Sequence, residues 1–254
     1  MEEQMAAEKK TTAQTEIEEM IKAGVHFGHK TSKTHPRMLP YIIGVRNTIH
    51  IIDVEKTAEK LQEAILKLKG FVLEKKVILL VGAKVQLKGL VEEIARECRL
   101  PYVSGRWIGG LLTNFETVSK RIEHLKTLET KKASGEFLKY TKKEQLGIEV
   151  EIKRLQAKFG GLKSLIRLPD VLFVVDLDEN ELVIREAKRK GLAVFAISGT
   201  DTDPTSVDYP IPANNDAISS VRYILERVKD VILEANSVQQ TSTAAGQEIQ
   251  DTKS

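Results

Sequence analysis

Solid apolar runs alternate along this chain with segments whose apolar residues recur every three or four positions. The runs at 77–81, 170–176 and 193–198 have the character of parallel strands that are covered on both faces. The segments at 85–99 and 179–190 have the period of amphipathic helices. This rhythm predicts an α/β fold with a doubly wound, mostly parallel sheet.

The middle of the chain follows a different pattern. Two helical segments, 114–131 and 142–162, carry apolar residues at heptad spacing and are joined by a short loop. Two such stripes predict an antiparallel coiled-coil hairpin that is inserted into the α/β fold. Because pairing the stripes buries little else, the outer faces of the hairpin should stay charged.

These patterns also predict where the parts of the chain begin and end. The parts are a disordered N-terminus (1–14), an α/β domain (15–112 and 163–235), the inserted hairpin (113–162) and a disordered C-terminal tail (236–254). The last helix is predicted over 216–234, because the apolar period stops there and Gln, Ser and Thr follow. In 24–40 two prolines argue against a helix.

The joint between the sheet and the hairpin holds the only Trp of the chain and a dense group of glycines. Trp107, Gly109 and Gly110 are the predicted structural joint, and Thr113 is the predicted cap of the first hairpin helix. Trp107 and Arg106 could stack on bases or clamp the root of the hairpin. We expect Trp107 to pack inside the joint and Arg106 to face a polar partner, favouring RNA.

Charge is unevenly distributed on a chain whose net charge is only +3. Residues 20–52 contain five Lys or Arg, four of the five histidines and no acid, and residues 116–160 hold an excess of bases. Such concentrated basic segments are typical of nucleic-acid binding, although a solvated face is the commoner cause of a charge run. The predicted RNA-binding residues are Lys22, His26, His29, Lys30, Lys33, His35, Arg37, Arg46 and Arg106.

Enzyme chemistry finds little support in the sequence. Neither loop after an apolar run has the glycine spacing that cradles a phosphate. The carboxylates Asp176 and Asp178 follow a strand, but capping the next helix explains them better than Mg²⁺ binding. His26 and His29 have a metal-ligand spacing without a Cys or an acid nearby to complete a site. Cys98 lies on an amphipathic helix and is not expected to be a nucleophile. We therefore predict no catalytic residue, no metal and no cofactor.

The overall composition narrows the class of protein further. No run approaches ~18 apolar residues, so no membrane span and no membrane partner are expected. The first residues lack the basic-then-apolar order of a secretion signal, and one cysteine suits a reducing compartment.

Two long motifs connect the chain to a known family. Ala23-Gly-Val-His-Phe-Gly-His-Lys30 and Arg106-Trp-Ile-Gly-Gly-Leu-Leu-Thr-Asn-Phe115 resemble small-subunit ribosomal protein number two in its bacterial and organellar form. The resemblance covers about 16–235. It implies a Rossmann-like or flavodoxin-like domain with an inserted hairpin and no catalytic activity.

That resemblance also implies a set of partners. They are the small-subunit ribosomal RNA between head and body, the neighbouring small-subunit proteins and, in some bacteria, the large ribosomal protein number one. The implied location is a cytoplasmic ribosome, or an organellar one. Two alternatives remain at this point: a nucleotide-dependent enzyme on the same fold, and a protein-interaction module whose hairpin grips partner helices.

Overall fold

Three short strands near the start of the chain form a small antiparallel sheet. The structure, a computed structural model, describes residues 14–251, with side chains described for 14–238 other than Leu138. Helix α1 covers residues 14–23. The strands that follow are β1 (Phe27–Lys30), β2 (Ile42–Arg46) and β3 (Ile49–Ile52), and they pair in the order β1-β3-β2.

The larger sheet contains five parallel strands. They are β4 (Ile78–Val81), β5 (Tyr102–Val103), β6 (Val171–Val174), β7 (Ala193–Ser198) and β8 (Tyr209–Pro212). Their spatial order is β5-β4-β6-β7-β8. Counted from the first of the five, this is the 2-1-3-4-5 order of flavodoxin-like folds, in which the winding direction reverses between β4 and β6. The predicted doubly wound α/β fold is confirmed.

Helices cover both faces of this sheet. They are α2 (Val54–Leu73), α3 (Lys88–Glu97), α4 (Phe115–Ala133), α5 (Lys142–Phe159), α6 (Glu181–Lys190) and α7 (Ile218–Asp251). Side chains alternate across a strand, so Leu80 and Phe173 join one apolar cluster with α2, α3 and α7, while Leu79 and Leu172 join another. None of the described helices combines the length and the apolar composition that a membrane span requires.

Helices α4 and α5 pair as the predicted antiparallel hairpin. Their heptad positions are buried, with Val118, Ile122 and Leu125 on α4 facing a stripe on α5. These residues belong to the same apolar cluster as Leu79 and Leu172 of the sheet. The base of the hairpin is therefore part of the core that covers the second face of the sheet.

The structure departs from the sequence prediction at both ends of the described residues. Strand β1 lies in a segment that was predicted to be irregular. A 3-10 turn follows at Pro36–Tyr41, and Pro36 is its first residue, a position whose backbone N–H has no partner within the turn, so that proline fits there. Helix α7 continues to Asp251 and does not end at the predicted residue 234, while the disorder predicted for this tail stays a prediction. No proline interrupts this segment. The predicted disorder of 1–13 and 252–254 lies outside the described residues.

Two consecutive glycines close the hairpin and offer a matched test of its packing. A Cβ on Gly161 would overlap the carbonyl oxygen of Tyr102, while a Cβ on Gly160 would meet nothing within 4 Å. Gly161→Ala should therefore lower the free energy of unfolding by about 1–3 kcal/mol, because strand β5 must shift. Gly160→Ala should leave it nearly unchanged in the same urea titration. Equal effects would contradict this account of the hairpin base.

Candidate nucleic-acid interface

The small sheet brings two distant cations onto one face. Lys30 on β1 and Arg46 on β2 are both register partners of Ile49 on β3. Residues directly opposite one another share a face of a sheet, and two strand spacings put their Cα atoms about 10 Å apart. The sequence separates these two cations, and only the pairing of the strands unites them.

A tight turn and a loop complete this end of the sheet. Asn47 and Thr48 both have positive φ, 49° and 64°, which is the geometry of a type I′ hairpin turn. Beside it, Lys33 donates its backbone N–H to the carbonyl of Lys30 at 2.8 Å. We call Lys30, Lys33 and Arg46 the basic end. All three are exposed and make no ion pair with any residue that the structure describes.

Arg37 behaves differently from these three cations. It donates to Asp203 at 2.7 Å and also to the hydroxyl of Thr205, so its charge already has a partner within the chain. Burial would raise the pKa of Asp203, but the hydrogen bonds from Thr205 and, after them, the charge of Arg37 lower that pKa below its ordinary value. Lys22 is exposed on α1 and does not belong to the small sheet.

The structure uses the three predicted RNA-binding histidines within the fold. His26 packs against the ring of Phe27 with centroids 4.0 Å apart, and burial lowers its pKa. His35 caps the 3-10 turn by accepting from the backbone N–H of Arg37 at 3.3 Å. His29 lies between two carboxylates, with Nε2 3.0 Å from Asp216 and Nδ1 3.5 Å from Asp201.

His29 belongs to a polar network at the carboxyl ends of the parallel strands. Lys84, after β4, lies 3.1 Å from Asp176, after β6, and 2.6 Å from Asp216, after β8. Asn215 donates to Asp176 at 2.6 Å. Burial would lower the pKa of Lys84, but the two carboxylates outweigh it and raise that pKa. Burial raises the pKa of Asp201, and His29 opposes that shift.

This network occupies the place where such folds bind nucleotides, which is the switch point between β4 and β6. The side chain of Asp176 is only 1% exposed and that of Lys84 only 12%. Asp176 therefore holds Lys84 and Asn215, and it also accepts from the backbone N–H of Asp178 at 3.3 Å, at the start of the 3-10 turn that leads into α6. The side chains of Lys84, Asp176 and Asn215 occupy the crevice at the switch point. The hypothesis of a nucleotide-dependent enzyme is therefore not supported.

The joint is organised by a carboxylate that the sequence interpretation missed. Glu186 on α6 is 4% exposed and accepts from five donors of one loop. The donors are Trp107 Nε1 (3.2 Å), the backbone N–H groups of Gly110 (2.8 Å), Leu112 (3.0 Å) and Thr113 (3.2 Å), and the Thr113 hydroxyl (3.3 Å). We call this arrangement the Glu186 anchor. Burial alone would raise the pKa of Glu186, but these hydrogen bonds outweigh it and lower the pKa.

A signal for Glu186 was present in the sequence. The residue follows Val183 by three positions on α6, and the residue after it, Ala187, is buried, so an acid stands on the apolar face of an amphipathic helix. The anchor also corrects the prediction for Thr113. Its hydroxyl donates to Glu186, and the N-cap of α4 is Asn114 without a side-chain capping bond.

The predicted joint residues take different roles around this anchor. Trp107 is 8% exposed and packs in the apolar cluster of the hairpin base. Gly110 has φ +87°, a conformation that glycine adopts without strain while its N–H points at Glu186. Gly109 is exposed, with only Leu182 near the position of an added Cβ. Arg106, one residue before the buried indole, is exposed at the mouth of a groove.

Comparison with known proteins agrees with this architecture. The family model described as ribosomal protein S2 matches residues 20–235. The chain belongs to the ribosomal protein S2 family. The small ribosomal subunit protein uS2 of Dehalococcoides mccartyi strain 195 is 43% identical over 223 residues, which cover 88% of this chain and 91% of that protein. Its counterparts in strains BAV1 and CBDB1 are each 42% identical over the same lengths. The resemblance that the two motifs indicated is confirmed.

The two adjacent residues of the joint should respond differently to truncation. Trp107→Ala removes a buried indole and one bond of the Glu186 anchor, and should cost about 3–5 kcal/mol of unfolding free energy. Arg106→Ala removes an exposed side chain and should change stability by less than about 0.5 kcal/mol. Urea denaturation measures both, and equal losses would show that Arg106 is part of the packed joint.

Glu186→Gln tests the anchor itself. The substitution removes the negative charge of the carboxylate and replaces one of its two acceptor oxygens by an NH₂ group, which cannot accept from the donors of the loop. The free energy of unfolding should therefore fall by roughly 2–4 kcal/mol. Glu181→Gln, an exposed position on the same helix, is the control and should cost less than about 0.5 kcal/mol.

The difference in unfolding free energy between wild type and Glu186→Gln should change with pH in a definite direction. The folded-state pKa of Glu186 is lowered from the ordinary 4.5, so its stabilisation is fully present above the unfolded pKa. The stabilisation by Glu186 is lost as the pH falls below the unfolded-state pKa and through the folded-state pKa. The gap between wild type and Glu186→Gln should therefore narrow in acid, and a gap that widens there would contradict the assignment.

Proposed function

We propose that this protein is a structural, RNA-binding component of the small ribosomal subunit, without catalytic activity. The relatives reported above are named small ribosomal subunit proteins, and the chain covers nine-tenths of their length. The geometric feature that carries the proposal is the basic end. There, cations from two strands and a loop lie together on an exposed surface.

The charges of the basic end suit the RNA backbone. Cations about 10 Å apart are separated by about one Debye length at physiological salt, so they attract a polyanion jointly. Phosphates neutralise Lys and Arg without reading sequence, which suits a protein that binds a folded ribosomal RNA. The predicted contacts of Lys22, His26, His29 and His35 with RNA stay predictions, and three of these four side chains are half-buried.

The filled switch point supports the non-catalytic part of the proposal. Asp176 and Asp216 neutralise Lys84 there, so Lys84 offers no free positive charge to a nucleotide phosphate. In the described residues, no group of three His, Cys, Asp or Glu side chains is arranged to hold a metal. Burial raises the pKa of Cys98 to about 11, which keeps the thiol protonated. Neighbouring small-subunit proteins are the further partners we propose, and docking of the large ribosomal protein number one stays a prediction.

The proposal is tested by the salt dependence of RNA binding. Wild type should bind a bacterial small-subunit ribosomal RNA transcript more tightly than an unrelated structured RNA of equal length. Lys30→Gln, Lys33→Gln and Arg46→Gln combined should weaken binding and flatten the slope of log affinity against log salt by about 2–3 units. Isothermal titration at several salt concentrations measures this slope.

Arg37 provides the internal control for that experiment. Arg46→Gln alone should flatten the slope by about 0.7–0.9, whereas Arg37→Gln should change it less because Asp203 already neutralises Arg37. Wild-type affinity that is no higher for the ribosomal transcript than for the unrelated RNA would overturn the proposed function.

A further inference from the structure

A groove lies between the base of the hairpin and helix α3. Its volume is about 350 Å³, more than ten times the ~30 Å³ that a water molecule occupies in the liquid. Four cations from three separate segments line it: Lys88 of α3, Arg106 of the joint, and Lys153 and Lys158 of α5. The remaining wall includes Ser104, Gly105 and the two glycines that end the hairpin.

The charge of this groove is not balanced from within. All four cations are exposed, and none of them makes an ion pair with a residue that the structure describes. The only acid in the lining, Glu92, is already bound, since it accepts from the Ser104 hydroxyl at 2.8 Å and from Arg96 at 3.2 Å. Other hairpin cations do have carboxylate partners, such as Lys132 with Glu149 at 2.9 Å. The groove therefore carries an excess of positive charge.

The walls of the groove are held by packing outside it. Arg106 precedes Trp107, whose indole is fixed in the Glu186 anchor. Gly161 lies so close to Tyr102 that no side chain fits between them, which ties the end of the hairpin to strand β5. The cations thus project from a fixed frame, and binding an anion there requires ordering of side chains only.

We propose that this groove binds the phosphodiester backbone of a folded RNA. The inference rests on the proposed function and extends it to a second contact surface, built by the hairpin base and separate from the basic end. Lysines, an arginine and glycine backbone recognise phosphate oxygens, and Gly160, where an added Cβ would meet nothing within 4 Å, lets the strand approach closely. Tyr102 is the only aromatic residue in the lining, so base stacking contributes little and the contact does not depend on RNA sequence.

The test compares two variants that lose the same charge. The groove variant combines Lys88→Gln, Arg106→Gln, Lys153→Gln and Lys158→Gln. The control variant combines Lys67→Gln, Lys76→Gln, Arg189→Gln and Lys190→Gln, which are exposed positions on other elements. The groove variant should bind the small-subunit ribosomal RNA transcript at least 10-fold more weakly, with a salt slope flatter by about 3 units. The control variant should bind within 2-fold of wild type.

A tethered probe locates the contact directly. Cys98 is the only cysteine and is buried, so Ala157→Cys in the groove can carry an iron chelate that cleaves nearby RNA backbone. Cleavage at discrete nucleotides is expected from this position and none from Lys67→Cys.

The outcomes separate this inference from the proposed function. If the groove and control variants bind equally while the basic-end variant is weakened, the groove proposal is wrong and the proposed function stands. If wild type does not prefer the ribosomal transcript, both are wrong. If wild type binds inorganic phosphate and the groove variant does not, while both bind the transcript equally, the groove is a small-anion site and not an RNA site.

Discussion

A single buried carboxylate connects the sheet, the joint and the hairpin. An ionised carboxylate inside a protein is strongly destabilising unless hydrogen bonds replace its water shell. Glu186 receives that replacement from one short loop, which contributes three backbone N–H groups, an indole and a hydroxyl. The dependence is mutual, because the same N–H groups would otherwise be partly buried without partners. The path of the chain from β5 into α4 is therefore fixed by one side chain of α6.

The switch point shows how far fold geometry can mislead about function. Strand order β5-β4-β6-β7-β8 creates a crevice between β4 and β6, and related folds place a nucleotide there. This chain places Lys84, Asp176 and Asn215 in the crevice instead, and His29 from the small sheet closes the network through Asp216. The contact between His29 and Asp216 connects the small sheet to the large one. The residues of the crevice thus have a structural role at a place in the fold where related proteins bind a ligand.

The sequence predicted the parts of the fold that depend on local pattern. Solid apolar runs and heptad stripes are local properties, so the parallel strands and the paired helices α4 and α5 were recognised near their observed positions. Strand β1 was missed because its four residues carry no alternation, and its pairing with Ile49 comes from a distant segment. The end of helix α7 was predicted too early because its last turns carry no apolar period.

The candidate site shows the same limit more clearly. Composition located the basic segment, but it treated Arg37 and Lys30 alike. Asp203, which neutralises Arg37, lies 166 residues away in the chain. Glu186 lies 79 residues from Trp107, so no local pattern joins them. Only the acid on an apolar helix face pointed to the anchor. The family resemblance supplied what periodicity could not, because two long motifs identify a relative without any knowledge of contacts.

The paired helices of the hairpin also affect the entropy of closing the sheet. Strands β5 and β6 stand on opposite sides of β4, yet the whole hairpin separates them in sequence. Once α4 and α5 pair through their own local contacts, the free chain between these strands shrinks from roughly 70 to roughly 25 residues. Logarithmic loop-closure scaling makes that shortening worth roughly 1 kcal/mol. Pairing of the inserted helices thus lowers the entropic cost of bringing together the two strands that the insertion separates in sequence.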